Sequence, residues 1–352
     1  MPSQPPADKR RRTLIGSRAG LLLVGITALG LAIFFSALKL PRVSIAAKIK
    51  TNELQLTLLN DWNIYELNAA EVSVVNAEKI LFDGEVLTED GNRPELPPGG
   101  SLRLLPAVAG STWSAAVLAE DLIVSLGIPA RADVALSLEA TKPTTLRISI
   151  QGGKAEGSID AGGEFSFSCN ACTLAAAEGG NGLRPAGRLR ARNSSQEIRF
   201  FSTDRPLVIT VRMAGNDTVS HLSIGQSLHI TKFDAQRGGL PISAISGDGR
   251  IAYPNLQLKP VAIQAGDFLR LTPSKSLSVR RISLTDDIDI EIEGVVKALG
   301  SGPAGVIRSR IPTFLQYFYY SENFQLILGA VMSIAGALAG GLYRLGYLSK
   351  PG

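Results

Sequence analysis

From Val43 onward, apolar residues recur at every second position in short runs, the pattern of strands with one buried face. Leu54, Leu56 and Leu58 alternate with polar residues, as do Val134, Leu136 and Leu138. Leu146, Ile148 and Ile150 repeat the pattern, followed by Leu207, Ile209 and Val211, and by Ile288, Ile290 and Ile292. Turn-forming clusters separate the runs at Glu89–Gly100, Glu178–Gly187, Arg237–Pro241 and Gly300–Gly305. The expected fold is a mainly β domain, an antiparallel sandwich or jelly roll, built as one sandwich or two. One stretch breaks the period. Ala115, Leu118, Ala119, Leu122, Ile123 and Leu126 keep helical spacing. Ser111 or Thr112 stands ready to cap that helix and Gly127–Pro129 to stop it, with a subdivision near residue 128.

Two charge-free runs flank this region, Ala19–Leu38 and Phe324–Tyr343. Each has 20 residues, enough for a helix to cross a hydrocarbon core of roughly 30 Å. A signal peptide competes for the first run, but its apolar region is typically about 7–15 residues and ends at a small-x-small site. Five basic residues precede the first run and only Lys39 and Arg42 closely follow it, which predicts cytoplasmic termini. The expected organisation is a basic tail over 1–18, a transmembrane helix over 19–38 and an extracytoplasmic β domain over 39–302. A juxtamembrane segment over 303–323, a second transmembrane helix over 324–343 and a cytoplasmic tail over 344–352 complete it. That places the chain in a bacterial inner or plasma membrane, with 39–323 on the periplasmic side.

The second run carries small residues every fourth position, Gly329, Ser333, Ala337 and Gly341, beside a second row with Gly336 and Gly340. Such rows admit close approach of another helix. Ahead of the run, Ile311, Phe314, Leu315 and Phe318 follow helical spacing after Pro312. Phe314, Tyr317, Phe318, Tyr319 and Tyr320 form an aromatic collar suited to the membrane interface, with membrane lipid as the expected partner.

Charge excludes one class of partner. The formal net charge is +5. Of 36 basic residues, seven lie in the tails (Lys9, Arg10, Arg11, Arg12, Arg18, Arg344 and Lys350), as does one of 31 acidic residues, Asp8. The remaining chain holds 29 basic and 30 acidic residues and is near neutral. A nucleic-acid interface needs a basic face in the domain itself, so no nucleic-acid partner is expected.

Chemical motifs are sparse. Cys169 and Cys172 are the only cysteines. Position 173 is Thr, which excludes haem attachment. The only histidines, His221 and His229, are spaced by more than the usual zinc separation. The approach Phe165–Ser168 reads as a strand rather than the helix start that lowers a redox thiol's pKa. A local disulfide is the favoured reading, with free thiols as its rival. Asp286, Asp287, Asp289, Glu291 and Glu293 alternate with isoleucines. They read as a solvated strand face rather than a calcium loop, whose spacing they lack. No nucleophile elbow, HExxH or phosphate loop accompanies the histidines. Ser246–Gly249 reads as a turn. Trp62, Trp113, Tyr65 and Tyr253 would stack on sugars only if exposed. Asn193 and Asn216 begin glycosylation triplets.

No catalytic residue, cofactor or metal is expected. The functional expectation is a non-enzymatic, two-span envelope protein whose β domain binds a protein partner or its own copies. The alternatives are a carbohydrate or cell-wall binding module, and a ligand-sensing effector whose spans oligomerise.

Overall fold

The computed structural model describes residues 30, 33–82, 86–88, 102–139, 141, 143–162, 165–176, 184–185, 188–191, 196–202, 205–214, 220–222, 228–235, 243–303, 305–320, 329 and 333. They divide into two compact units: residues 44–252 with 260–310, and the ends 1–43 and 311–352 with 253–259.

The larger unit is antiparallel β structure. In chain order its strands begin β1 (Val43–Thr51), β2 (Glu53–Leu58), β3 (Trp62–Val75), β4 (Ala77–Phe82), β5 (Val86–Thr88) and β6 (Leu102–Pro106). There follow β7 (Ser114–Ile128), β8 (Asp133–Glu139), β9 (Thr145–Gln151), β10 (Glu156–Gly162), β11 (Phe165–Asn170) and β12 (Cys172–Ala176). Next come β13 (Arg184–Pro185), β14 (Arg188–Ala191), β15 (Gln196–Ser202), β16 (Leu207–Met213), β17 (Ser220–His221) and β18 (Leu228–Asp234). The last are β19 (Gly249–Ala252), β20 (Val261–Ile263), β21 (Phe268–Leu284), β22 (Ile288–Gly302) and β23 (Arg308–Ser309).

One ladder links most of them. It runs from β20 through β19, β1, β22, β21, β18, β2, β8, β9 and β16 to β3 and β7. At β7 it divides. Residues 114–118 of β7 pair with β11, which leads to β14 and β5. Residues 121–127 pair with β10, which leads through β15, β4 and β6 to β12 and β13. The two branches meet through buried aromatic side chains. Phe82 of β4 and Phe167 of β11 share no ladder, yet their rings meet edge to face at 4.9 Å, each about 1% exposed.

The two-residue period in the sequence is the burial pattern of these strands. Leu54, Leu56, Leu58, Leu146, Ile148, Ile150, Leu207, Ile209 and Val211 are all buried. The stretch 115–126 is a correction, because it is not a helix but the centre of β7. Ala115 and Val117 are buried at odd positions, and Leu122, Val124 and Leu126 at even ones. The parity changes where β7 passes from β11 to β10, and the facing register slips between Ala69 and Glu71. A strand whose inward face changes parity places apolar residues three and four apart, as a helix does. Leu118 and Ile123, assigned to the helical face, are exposed. Gly300 and Gly302, read as turn residues, lie in β22. The three clusters Glu89–Gly100, Glu178–Gly187 and Arg237–Pro241 fall wholly or mostly outside the described residues.

The second correction concerns the membrane. Among the described residues no helix is long and apolar enough to cross a bilayer. Most of 19–38 and 324–343 lies outside the described residues. In the first run residues 33–37 are helical, and the chain is then extended at Lys39, which bridges to Thr313. The other described helix, α1 (Phe314–Tyr320), has seven residues. At about 1.5 Å per residue that is roughly a third of a hydrocarbon core. An apolar run licenses a span only as one continuous helix. The two transmembrane helices, and the inner-membrane and periplasmic placement drawn from them, are therefore withdrawn.

In the smaller unit residues 35–40 and 312–318 lie together. Leu40 N–H donates to Pro312 O at 3.0 Å and Phe314 N–H to Leu38 O at 2.9 Å. Phe35 sits against Phe314 and Phe318, with centroids 6.4 and 6.3 Å away. Thr313 and Gln316 form a capping box, since Gln316 N–H donates to Thr313 Oγ1 and Thr313 N–H to Gln316 Oε1. The helix therefore starts at Phe314, two residues beyond the Pro312 start expected from sequence.

Candidate functional site

The chain bends between β3 and β4 at Asn76, whose φ is +62°. Asparagine is one of the few residues with a side chain that tolerates this region. Trp113, just before β7, holds the bend from both sides. Its carbonyl accepts the Asn76 N–H at 3.0 Å, and its indole N–H donates to Ala77 O at 2.6 Å. Beside the bend opens a cavity of about 370 Å³, whose apolar lining includes Ala77, Pro106, Ala109 and Trp113. That volume lies near the small end of the roughly 300–1,000 Å³ range of ligand pockets.

Polar groups of different kinds frame it. Asn76 Nδ2 donates to Pro206 O at 3.2 Å, which fixes the amide's orientation. Its Oδ1 is then left buried, with no hydrogen-bond partner among the described residues. A buried acceptor without a donor costs about 1–3 kcal/mol. Glu78 and Arg205 line the cavity with opposite charges, and both are exposed. The Arg205 guanidinium reaches over Gly110, its Nη2 3.5 Å from where a Cβ on that glycine would stand. Gly110 has φ +76°, in the turn 107–111 that walls the cavity. Ser111 closes that turn, its N–H and hydroxyl both donating to Val108 O. The lining is an apolar floor, one unfilled acceptor and a rim of both charges. Such an arrangement recognises a partly apolar group that carries an N–H or O–H donor. Sequence reasoning named only Trp113 and Ser111 among these residues, Trp113 as a sugar platform and Ser111 as a helix cap. Asn76, Glu78 and Arg205 come from distant stretches and carry no local motif.

The residues singled out from sequence are dispersed. Cys169 and Cys172 are joined as a disulfide, with Cα atoms 6.2 Å apart, at the turn from β11 to β12. Trp62, Trp113 and Tyr253 are buried at 3–4% exposure, while Tyr65 is 63% exposed. Three of the four rings offered to a sugar thus present no free face. Two carboxylates of the acidic strip are paired, with Lys48 Nζ 3.3 Å from Glu291 and Arg280 against Glu293. The Glu293 carboxylate raises the Arg280 pKa by hydrogen bond and charge. No group of three or more metal-ligating side chains occurs among the described residues. His221 and His229 lie opposite Ser283 and Ser278 of β21, at separate points of the ladder. Gly249 opens β19, so the expected turn Ser246–Gly249 ends in a strand. Asn193 and Asn216 lie outside the described residues.

The collar residues Phe314, Tyr317, Phe318, Tyr319 and Tyr320 all lie on α1, none of them buried. Of the small-residue row, Gly329 and Ser333 are helical and exposed. Gly336, Ala337, Gly340 and Gly341 lie outside the described residues. One half-buried carboxyl stands apart from the cavity. Burial pushes Asp234 above its usual pKa, against the opposing pull of Arg270 and Lys232.

Comparison with family models, curated proteins and solved structures finds no match for this chain.

Proposed function

We propose that the chain is a non-catalytic binding protein whose β unit takes a protruding segment of a protein partner into the Asn76–Trp113 cavity. The observation that carries the reading is the orphaned Asn76 Oδ1 beside an apolar floor. A partner's backbone or side-chain N–H satisfies that acceptor while an adjoining apolar group covers Ala109 and Pro106. The gain is then a hydrogen bond made where none existed, which is worth more than an exchange of one partner for another. Glu78 and Arg205 set the orientation of the incoming segment through charges of opposite sign. The cavity holds one or two side chains, so the contact is an anchor within a wider interface.

The test places a photo-crosslinking amino acid at Ala109, an exposed residue of the wall, in the full chain expressed in its own cells. A parallel chain carries it at Lys275, an exposed position on β21. The reading expects one defined adduct from position 109 and not from 275. A second copy of this chain in that adduct identifies self-assembly as the binding event. Equal yields at the two positions, or none from position 109, would sink the reading.

A further inference from the structure

The turn that walls the cavity is strapped at one end to β12 and at the other to β11, two consecutive strands joined by the disulfide. At one end Cys172 pairs with Pro106, and Ala107 N–H donates to Ala171 O at 2.9 Å. At the other end Asn170 pairs with Ser114, and Cys169 with Ala115. The residues between these anchors, 107–113, contribute Ala109, Gly110, Ser111 and Trp113 to the cavity. The two strands themselves diverge. β11 belongs to the branch leading to β14, and β12 to the branch leading to β6. Among the described residues no ladder pairs β11 with β12, so the link between them is the turn and its disulfide. Cys172 is 5% exposed, whereas Cys169 is half-buried and the intervening Asn170 and Ala171 are exposed.

From this we propose that the Cys169–Cys172 disulfide is a redox latch on the cavity, setting the spacing of the two anchors and hence the position of its wall. The inference rests on the binding role given to the cavity above. The reductant is a dithiol. Its thiolate attacks Cys169 Sγ, the more accessible sulfur, and forms a mixed disulfide. The sulfur–sulfur bond breaks, and its electron pair leaves on Cys172 Sγ, which takes a proton. The second thiol of the reagent then displaces Cys169 as a thiolate, which also takes a proton. Two electrons have entered the protein and the dithiol has become a cyclic disulfide. With the link open, Ala171 leaves its strained φ of +55°, its carbonyl turns from Ala107, and the wall loosens.

Hydrogen exchange of the full chain, oxidised and after reduction with dithiothreitol, reads this directly. The latch predicts that exchange in the 107–113 segment rises by about tenfold or more on reduction, while the β21–β22 hairpin is unchanged. Cys169→Ser with Cys172→Ser should show the fast rate whether or not reductant is present. The wild-type chain reduced in place makes the same comparison if that variant does not fold. Unchanged exchange at 107–113, or an equal rise in every segment, overturns the latch. Crosslinking from position 109 separates this inference from the binding reading. No adduct in the oxidised chain defeats the binding role while the exchange result stands alone, and an adduct of equal yield in both redox states defeats the latch.

Discussion

Gly157 of β10 faces Phe200 of β15 in the ladder that carries the second branch of the unit. A Cβ at Gly157 would stand 2.2, 2.6 and 2.9 Å from Cζ, Cε2 and Cε1 of that ring. Carbon atoms in contact sit about 3.5–4.0 Å apart, so the ring would have to retreat by more than an ångström. It has nowhere to go, being fully buried. Gly157→Ala is therefore expected to destabilise the chain by about 1–3 kcal/mol, the usual cost of overpacking. The three clashing atoms are all absent from leucine. In a Phe200→Leu background the added methyl meets open space, and the alanine also lowers the entropy of the unfolded chain. There Gly157→Ala should be neutral or stabilising by up to about 1 kcal/mol. The coupling between the sites is then about 1–4 kcal/mol. Urea unfolding followed by tryptophan fluorescence suits the measurement, because Trp62 and Trp113 are both 3% exposed and gain water on unfolding. Additive effects of the two substitutions would show that β10 and β15 do not meet in this register.

Three further outcomes follow from single residues. Ala171 has φ +55°, so Ala171→Gly should raise the unfolding midpoint of the oxidised chain, by up to about 1 kcal/mol. The desolvated Asp234 carboxyl binds its proton more tightly folded than unfolded, so stability is lost as pH rises from its ordinary value through the raised folded one. Asp234→Asn should flatten that part of the pH–stability curve, and an unaltered slope would remove burial as its cause. Thr313→Ala breaks the capping box and should weaken α1 by about 1 kcal/mol, read as faster amide exchange over 314–320 without a change in the β unit.

The strands with a single buried face were legible because burial is local information. Leu54, Leu56 and Leu58 alternate in the sequence as they alternate in the structure. β7 was not legible, since its inward face changes parity between Val117 and Leu122 and no local pattern records a partner exchange. The start of α1 was written as Thr313-x-x-Gln316, a signal overlooked in favour of Pro312. The two apolar runs were read by length alone, and among the described residues no helix reaches the length of a span. The cavity was invisible for a different reason. Asn76, Pro106 and Arg205 are brought together by a bend and two strand crossings, and each alone resembles an ordinary turn residue. Trp113 hinted at the site, but its indole binds the backbone of Ala77 rather than facing a sugar.

The most direct test of the binding role is a titration of whatever protein is captured from position 109. It is run with purified oxidised chain and with Ala109→Trp, which fills the cavity from an exposed turn and should leave the urea midpoint unchanged. The account predicts that Ala109→Trp weakens binding by about tenfold or more, as expected when the anchor of an interface is lost. Equal affinity for the filled and open cavities would contradict it.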